Sequence, residues 1–207
     1  MLEKLLSQRH WVKIAKWYAG QCIVFSLTLI IIIGSYKLPE AVGQQTPTAN
    51  YKTFTDWCAN KAKLNPEARR TVDALLEQAR TNECKTANQK LLSLDKLIIW
   101  GSEISDITPL KSLTNLTQLL LSGNGISDIT SLKSLTNLTQ LWLGGNKISD
   151  ITPLKSLTNL THLDLRDNKI SDITSLKSLN NLTQLELAGN PIANKTCPLK
   201  PESICQF

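Results

Sequence analysis

From residue 94 the chain repeats itself every 22 residues. The copies are close: "LTQLLLSGNGISDITSLKSLTN" (116–137) and "LTQLWLGGNKISDITPLKSLTN" (138–159) agree at 18 of 22 positions. A unit this short cannot enclose a core of its own, so its apolar side chains must be buried against near-identical neighbours, and the fold is a stack. The units run 94–115, 116–137, 138–159 and 160–181, with a partial unit from 182 that keeps "LTQLELAGNPI" before the pattern breaks. Their template is LxxLxLxxNxISDITxLxxLxx. In LxxLxL the apolar residues alternate, which predicts a short strand with Leu119 and Leu121 inward and the residues between them exposed. Later in the unit Ile126, Ile129, Leu132 and Leu135 are three apart. That spacing suits a tight helical return segment on the other side of the strand.

A column of asparagines, Asn124, Asn146, Asn168 and Asn190, falls at the turn after each strand. An amide there can satisfy backbone groups of the coil beside it. Ser102 holds this place in the first unit, so that end of the column is expected to be weaker. A stack also needs its two ends covered. Residues 51–93 supply a helical pattern, with Asn65-Pro66 as N-cap and first helical residue and Val72, Leu75, Leu76 and Ala79 as an apolar face. A second short helix is expected over 82–92. Residues 191–207 form the other cap.

Four cysteines flank the repeats, Cys58 and Cys84 before them and Cys197 and Cys205 after. Four cysteines allow three pairings; local bridges 58–84 and 197–205 are favoured because the others must span the whole stack. Reduced structural thiols are the alternative. Zinc is disfavoured, since no CxxC exists and His162 is the sole histidine beyond the N-terminal segment.

Residues 17–36, "WYAGQCIVFSLTLIIIIGSY", carry no charge and as a helix would reach about 30 Å, enough to cross a bilayer. Arg9, Lys13 and Lys16 precede them against Glu3, which orients the remainder outward. Residues 1–36 thus read as a basic n-region with a signal anchor, or as a signal peptide cut near Ala41-Val42-Gly43; the long n-region favours the anchor. Residues 37–50 read as a linker. The membrane is accordingly expected as a partner through the N-terminal segment, and the location as extracytoplasmic.

The template resembles that of the leucine-rich repeat family, in the 22-residue form of bacterial internalin-like proteins. The flanks "FTDWCANKAKLNPEARRTVDALLEQA" and "NKTCPLKPESICQF" are similar to caps of cyanobacterial leucine-rich repeat proteins. The resemblance implies an α/β solenoid, a curved array with parallel strands on its concave face, and recognition of a protein or peptide ligand.

Part of the variation falls on that face: of the four differences between units 116–137 and 138–159, Leu120 against Trp142 and Ser122 against Gly144 lie on it. Neighbouring strands about 4.8 Å apart would align three columns: Lys96, Gln118, Gln140, His162 and Gln184; Ile98, Leu120, Trp142, Asp164 and Glu186; Trp100, Ser122, Gly144, Arg166 and Ala188. The expected partner-binding set is Ile98, Trp100, Leu120 and Trp142 at an apolar end and His162, Asp164, Arg166 and Glu186 at a charged one, with the tryptophans as anchors. Against this stands a plain packing role, for Trp100 under the N-terminal cap. Asp106, Asp128, Asp150 and Asp172 and Lys111, Lys133, Lys155 and Lys177 form two rows elsewhere, read as a solvated structural face. The four Asn-Leu-Thr sequons at 115, 137, 159 and 181 are one repeating phrase.

Other functions are poorly supported. The excess of 23 basic over 17 acidic residues is modest, and no basic stripe interleaved with aromatics marks a nucleic-acid surface. His162 beside Asp164 is the only catalytic candidate in the array, and a shared face is not a site. No cofactor is expected, and nothing indicates an oligomeric state. The competing readings are a cytosolic phosphatase-regulating subunit, which similar repeats resemble, and a surface spacer.

Overall fold

Each LxxLxL phrase forms a strand of three residues: Lys96–Ile98 (β1), Gln118–Leu120 (β2), Gln140–Trp142 (β3), His162–Asp164 (β4) and Gln184–Glu186 (β5). A sixth, Cys205–Gln206 (β6), follows in the C-terminal cap. These come from a computed structural model that describes residues 51–207. The strands lie in one parallel sheet in chain order, β1 to β6. Their register is a shift of one whole repeat, Lys96 opposite Gln118 opposite Gln140 opposite His162 opposite Gln184. Each chain return runs through a five-residue 3-10 helix, Thr108–Ser112, Thr130–Ser134, Thr152–Ser156 and Thr174–Ser178. The three-residue apolar spacing suits this tighter helix. Leu116, Leu119, Leu121, Ile126, Ile129, Leu132 and Leu135, the seven template positions of the second unit, are all buried, and one core runs from cap to cap. The anchor or signal-peptide segment, its candidate cleavage site and the linker 37–50 lie outside the described residues. Among the described residues no helix is long and apolar enough to cross a membrane.

Neighbouring coils are joined by side chains as well as by the sheet. In the asparagine column, Asn168 Oδ1 accepts from the Ile148 N–H at 3.0 Å while its Nδ2 donates to the carbonyls of Leu143 and Leu165, each at 3.0 Å. Asn124, Asn146 and Asn190 repeat the arrangement. Ser102 does not; its hydroxyl donates locally to the Trp100 carbonyl. Two further ladders were not anticipated. Thr117, Thr139, Thr161 and Thr183 each donate a hydroxyl to the carbonyl 22 residues earlier. Asn115, Asn137, Asn159 and Asn181, the sequon residues, donate Nδ2 to the preceding coil at 2.7–2.9 Å. The nitrogen a glycan would need is thus engaged in the stack.

The aspartate row does more than face solvent. Asp106, Asp128, Asp150 and Asp172 each accept from the N–H of the threonine two residues on, which opens the following 3-10 helix. For Asp150 the hydroxyl and N–H of Thr152 lower the carboxyl pKa, with Lys133 and Lys155 adding attraction. For Asp172 the N–H and hydroxyl of Thr174 lower it, with Lys155 and Lys177 adding. Both changes favour the ionised carboxylate, so the folded chain binds fewer protons than the unfolded one. The contribution is complete above the ordinary carboxylate range and is lost as pH falls through the lowered folded values. We expect the urea midpoint to hold from neutral pH to about 5 and to fall below about 4. Circular dichroism of an Asp150→Asn, Asp172→Asn variant checks this, since its midpoint should fall less.

The N-terminal cap is built of three α-helices, one more than the pattern indicated, with a 3-10 turn at Lys61–Lys63. Phe54–Ala59 (α1) opens with a capping box between Thr53 and Asp56. Pro66–Ala79 (α2) is capped by Asn65, whose Oδ1 accepts from the Ala68 N–H at 2.7 Å, as the Asn-Pro signal predicts. Cys84–Leu92 (α3) starts two residues later than expected because Glu83 caps it. Phe54, Val72, Leu75 and Leu91 close the core, and the buried Thr71 hydroxyl donates to the Asp106 carbonyl, tying cap to first coil. Cys58 is bonded to Cys84, which joins α1 to α3, and Cys197 to Cys205. The second closes the short loop that leads into β6, which pairs with β5 where the Leu187 N–H donates to the Gln206 carbonyl. Nothing in the two residues of β6 carries a period.

Candidate functional site

The register places Ile98, Leu120, Trp142, Asp164 and Glu186 in a line across the concave face, as the spacing predicts, and extends it to Gln206. The environments along the line differ. Ile98 and Trp100 are the exposed large apolar residues of the described chain, at 43% and 68%. The N-terminal cap does not cover Trp100, which lies beside the next turn. A Cβ at Gly123 would sit 3.4 Å from Trp100 Nε1, and Gly123 has φ +67°. Glycine there serves both the left-handed backbone and the indole. Leu120, Trp142, His162 and Glu186 are half-buried.

Asp164 departs from the expectation that this column is exposed, being only 7% accessible. Its carboxylate is folded down and held by Arg166, two residues along the same face. The Arg166 N–H and Nε donate to Oδ1 at 3.0 Å each, and Nη2 donates to Oδ2 at 2.8 Å. This planar fork fixes both side chains. Hydrogen bonding to Asp164, and then its charge, raises the guanidinium pKa above its ordinary value. Gly144 makes room: a Cβ there would come within 3.1 Å of Asp164 Oδ2 and 3.2 Å of Oδ1. Asp164 and Arg166 therefore form an internal pair, and of the two it is Arg166, with its side chain 52% exposed, that a partner can meet.

Two adjoining depressions result. One, about 620 Å³, is bounded by Trp100, Leu120, Gly123, Trp142, Gly144 and Asp167. The other, about 310 Å³, lies between Trp142 on one side and His162, Gln184 and Glu186 on the other. Trp142, Asp164 and Arg166 border both. Ile98 borders neither.

His162 Nδ1 lies 3.0 Å from Thr161 Oγ1, and both Asp164 oxygens are taken by Arg166, so the candidate His–Asp combination is not assembled. Sequence reasoning missed Asp167, Gln184 and Gln206. Asp167 has φ +52° where the preceding repeats carry Gly123 and Gly145, a position that aspartate tolerates better than most residues. Gln184 was in a column but not singled out. Gln206 could not be placed without β6.

The family model described as Leucine Rich repeats (2 copies) matches residues 114–156 and 158–201. Internalin C2 of Listeria monocytogenes is 42% identical over 58% of this chain and 53% of its own, with a TM-score of 0.53. The internalin inlF of the same organism is 26% identical over 67% of this chain and 47% of its own, with a TM-score of 0.52. The chain thus spans about half the length of each. No curated protein matches it. The likeness of the caps to cyanobacterial proteins rests on their sequence alone. From template, parallel register, asparagine column and these matches together, the repeat array belongs to the leucine-rich repeat family, in its internalin-like form.

Proposed function

We propose that the chain is a non-enzymatic module that binds a protein or peptide on its concave face, displayed outside the cytoplasmic membrane. The observation that carries this reading is Trp100: a tryptophan 68% exposed beside Ile98, the two being the exposed large apolar residues among those described. An exposed tryptophan beside a charged rim is the usual make-up of an interface anchor. Trp142 and Leu120 extend the patch, and Arg166, held in one geometry by Asp164, gives it a directional edge. Display outside the membrane is supported by the two disulfides, which persist in oxidising compartments, and by the charge-free segment 17–36 behind a basic stretch. The disulfides weigh against the phosphatase-regulating alternative in a reducing cytosol, and the exposed Trp100 with the half-buried Trp142 weighs against a featureless spacer.

The test uses the full chain in mild detergent, wild type and Trp100→Ala, Trp142→Ala, incubated with host surface and secreted proteins and read by quantitative mass spectrometry. We expect one protein enriched by the wild type and reduced at least about tenfold with the variant, the loss of a typical anchor pair. Equal capture by both, with unchanged circular dichroism, would remove the concave face from the proposal.

A further inference from the structure

We infer that the depression between Trp142 and Glu186 receives a basic side chain, so that the ligand of the concave face is a lysine- or arginine-bearing segment. This rests on the binding-module reading above and specifies the chemistry of its partner. The charges decide it. Asp164 and Arg166 neutralise one another through their fork. Glu186 is different: Gln184 Nε2 donates to Oε1 at 2.9 Å, and the Gln206 amide, turned to match, donates to both oxygens at 3.1 Å. Both donors are neutral, so they orient the carboxylate without cancelling its charge. Among the described residues neither Glu186 nor Asp167, at the rim of the neighbouring depression, has a salt-bridge partner. Asp164 is the main cause of the raised Arg166 pKa, and the charges of Glu186 and Asp167 add to it.

Trp142 lines the same depression as Glu186, two strands away in the register. An aromatic face attracts a cation through its quadrupole, and a carboxylate on the far side supplies the counter-charge. An incoming anion would meet Glu186 and Asp167, and the one cation there, Arg166, already shares its charge with Asp164. At about 310 Å³ the depression lies at the small end of ligand pockets, near 300–1,000 Å³, which suits one long side chain rather than a folded element. The larger depression beside Trp100 and Leu120 then receives the apolar residues that adjoin the cation. The ligand is a chain with a charged and an apolar end, and complementarity sets its direction across the repeats.

The experiment presents the full chain in mild detergent with short peptides matched in length and carrying lysine, glutamine or glutamate at the same positions between common apolar residues. Oligosaccharides serve as a second probe class. We expect the lysine peptides to bind at least about tenfold more tightly than the glutamine set, and the glutamate set more weakly still. Glu186→Gln should abolish the difference while leaving the unfolding midpoint unchanged, Glu186→Asp should retain part of it, and added salt should reduce it. Binding that ignores peptide charge but disappears in Trp100→Ala, Trp142→Ala overturns the cation assignment and leaves the concave-face reading standing. Preference for glutamate peptides, binding of oligosaccharides in place of peptides, or no peptide binding overturns the assignment as well.

Discussion

Asn168→Ala should lower the unfolding free energy by about 3–5 kcal/mol, more than any surface substitution in the array. The side chain satisfies the Ile148 N–H and the carbonyls of Leu143 and Leu165, deep between two coils. Truncation leaves these groups in an apolar interior, where each unmade hydrogen bond costs about 1–3 kcal/mol. The residue is itself only 7% exposed, so water cannot readily take its place. Asn190→Ala should cost less, because that residue is half-buried at the end of the column. Urea unfolding followed by circular dichroism measures both. A loss below about 1 kcal/mol at Asn168 would show that solvent reaches the column and that the sheet and apolar core suffice without it.

The architecture was legible because the repeat writes each physical requirement many times. Leu119 and Leu121 alternate with half-buried neighbours, the three-residue spacing from Ile126 matches a 3-10 return, and the asparagines recur where backbone groups need partners. What escaped notice was written once or written ambiguously. β6 is two residues in an irregular cap, recognisable only through the Glu186–Gln206 pairing. The Thr and Asn ladders were present in every unit, yet Asn-Leu-Thr carries a second meaning as a sequon, and only geometry shows Nδ2 engaged with the coil before it. The candidate site was legible by position but not by state. Column membership placed Asp164 on the face and could not show it folded onto Arg166. The available signal was the joint change of three positions: Gly144, Asp164 and Arg166 make sense as one unit, since a Cβ at 144 would crowd the carboxylate.

That unit alters how the concave face should be read. Variation along an exposed column is commonly taken as variation in ligand contact, yet one of the variable residues, Asp164, is spent inside the protein. Its role is to position Arg166 and to leave Glu186 and Asp167 as the uncancelled charges beside Trp142. The surface therefore presents an aromatic floor, one fixed cation and two acids, rather than a scatter of independent groups.

Removing the Cys58–Cys84 bridge with a Cys58→Ala, Cys84→Ala variant should cost about 3.5 kcal/mol, on the loop-closure account of a bridge spanning 26 residues. The Cys197–Cys205 bridge, spanning eight, should contribute about 2.5 kcal/mol. The larger loss falls on the N-terminal cap for a second reason. α1 is six residues long, far below the length at which a helix persists unaided, and depends on α3 to hold it. In a stack where each coil touches only its neighbours, damage at one end should spread inward and fade. Hydrogen exchange tests this directly: amides of α1 and the first coil should lose protection in the variant, while Ile148, bonded to Asn168 two repeats further in, should keep most of its own. Uniform loss from Phe54 to Ile192 would instead show that cap and array unfold as one cooperative unit. In that case the oxidised bridge is a condition for any concave face at all, and the protein's binding would be confined to compartments that keep its cysteines paired.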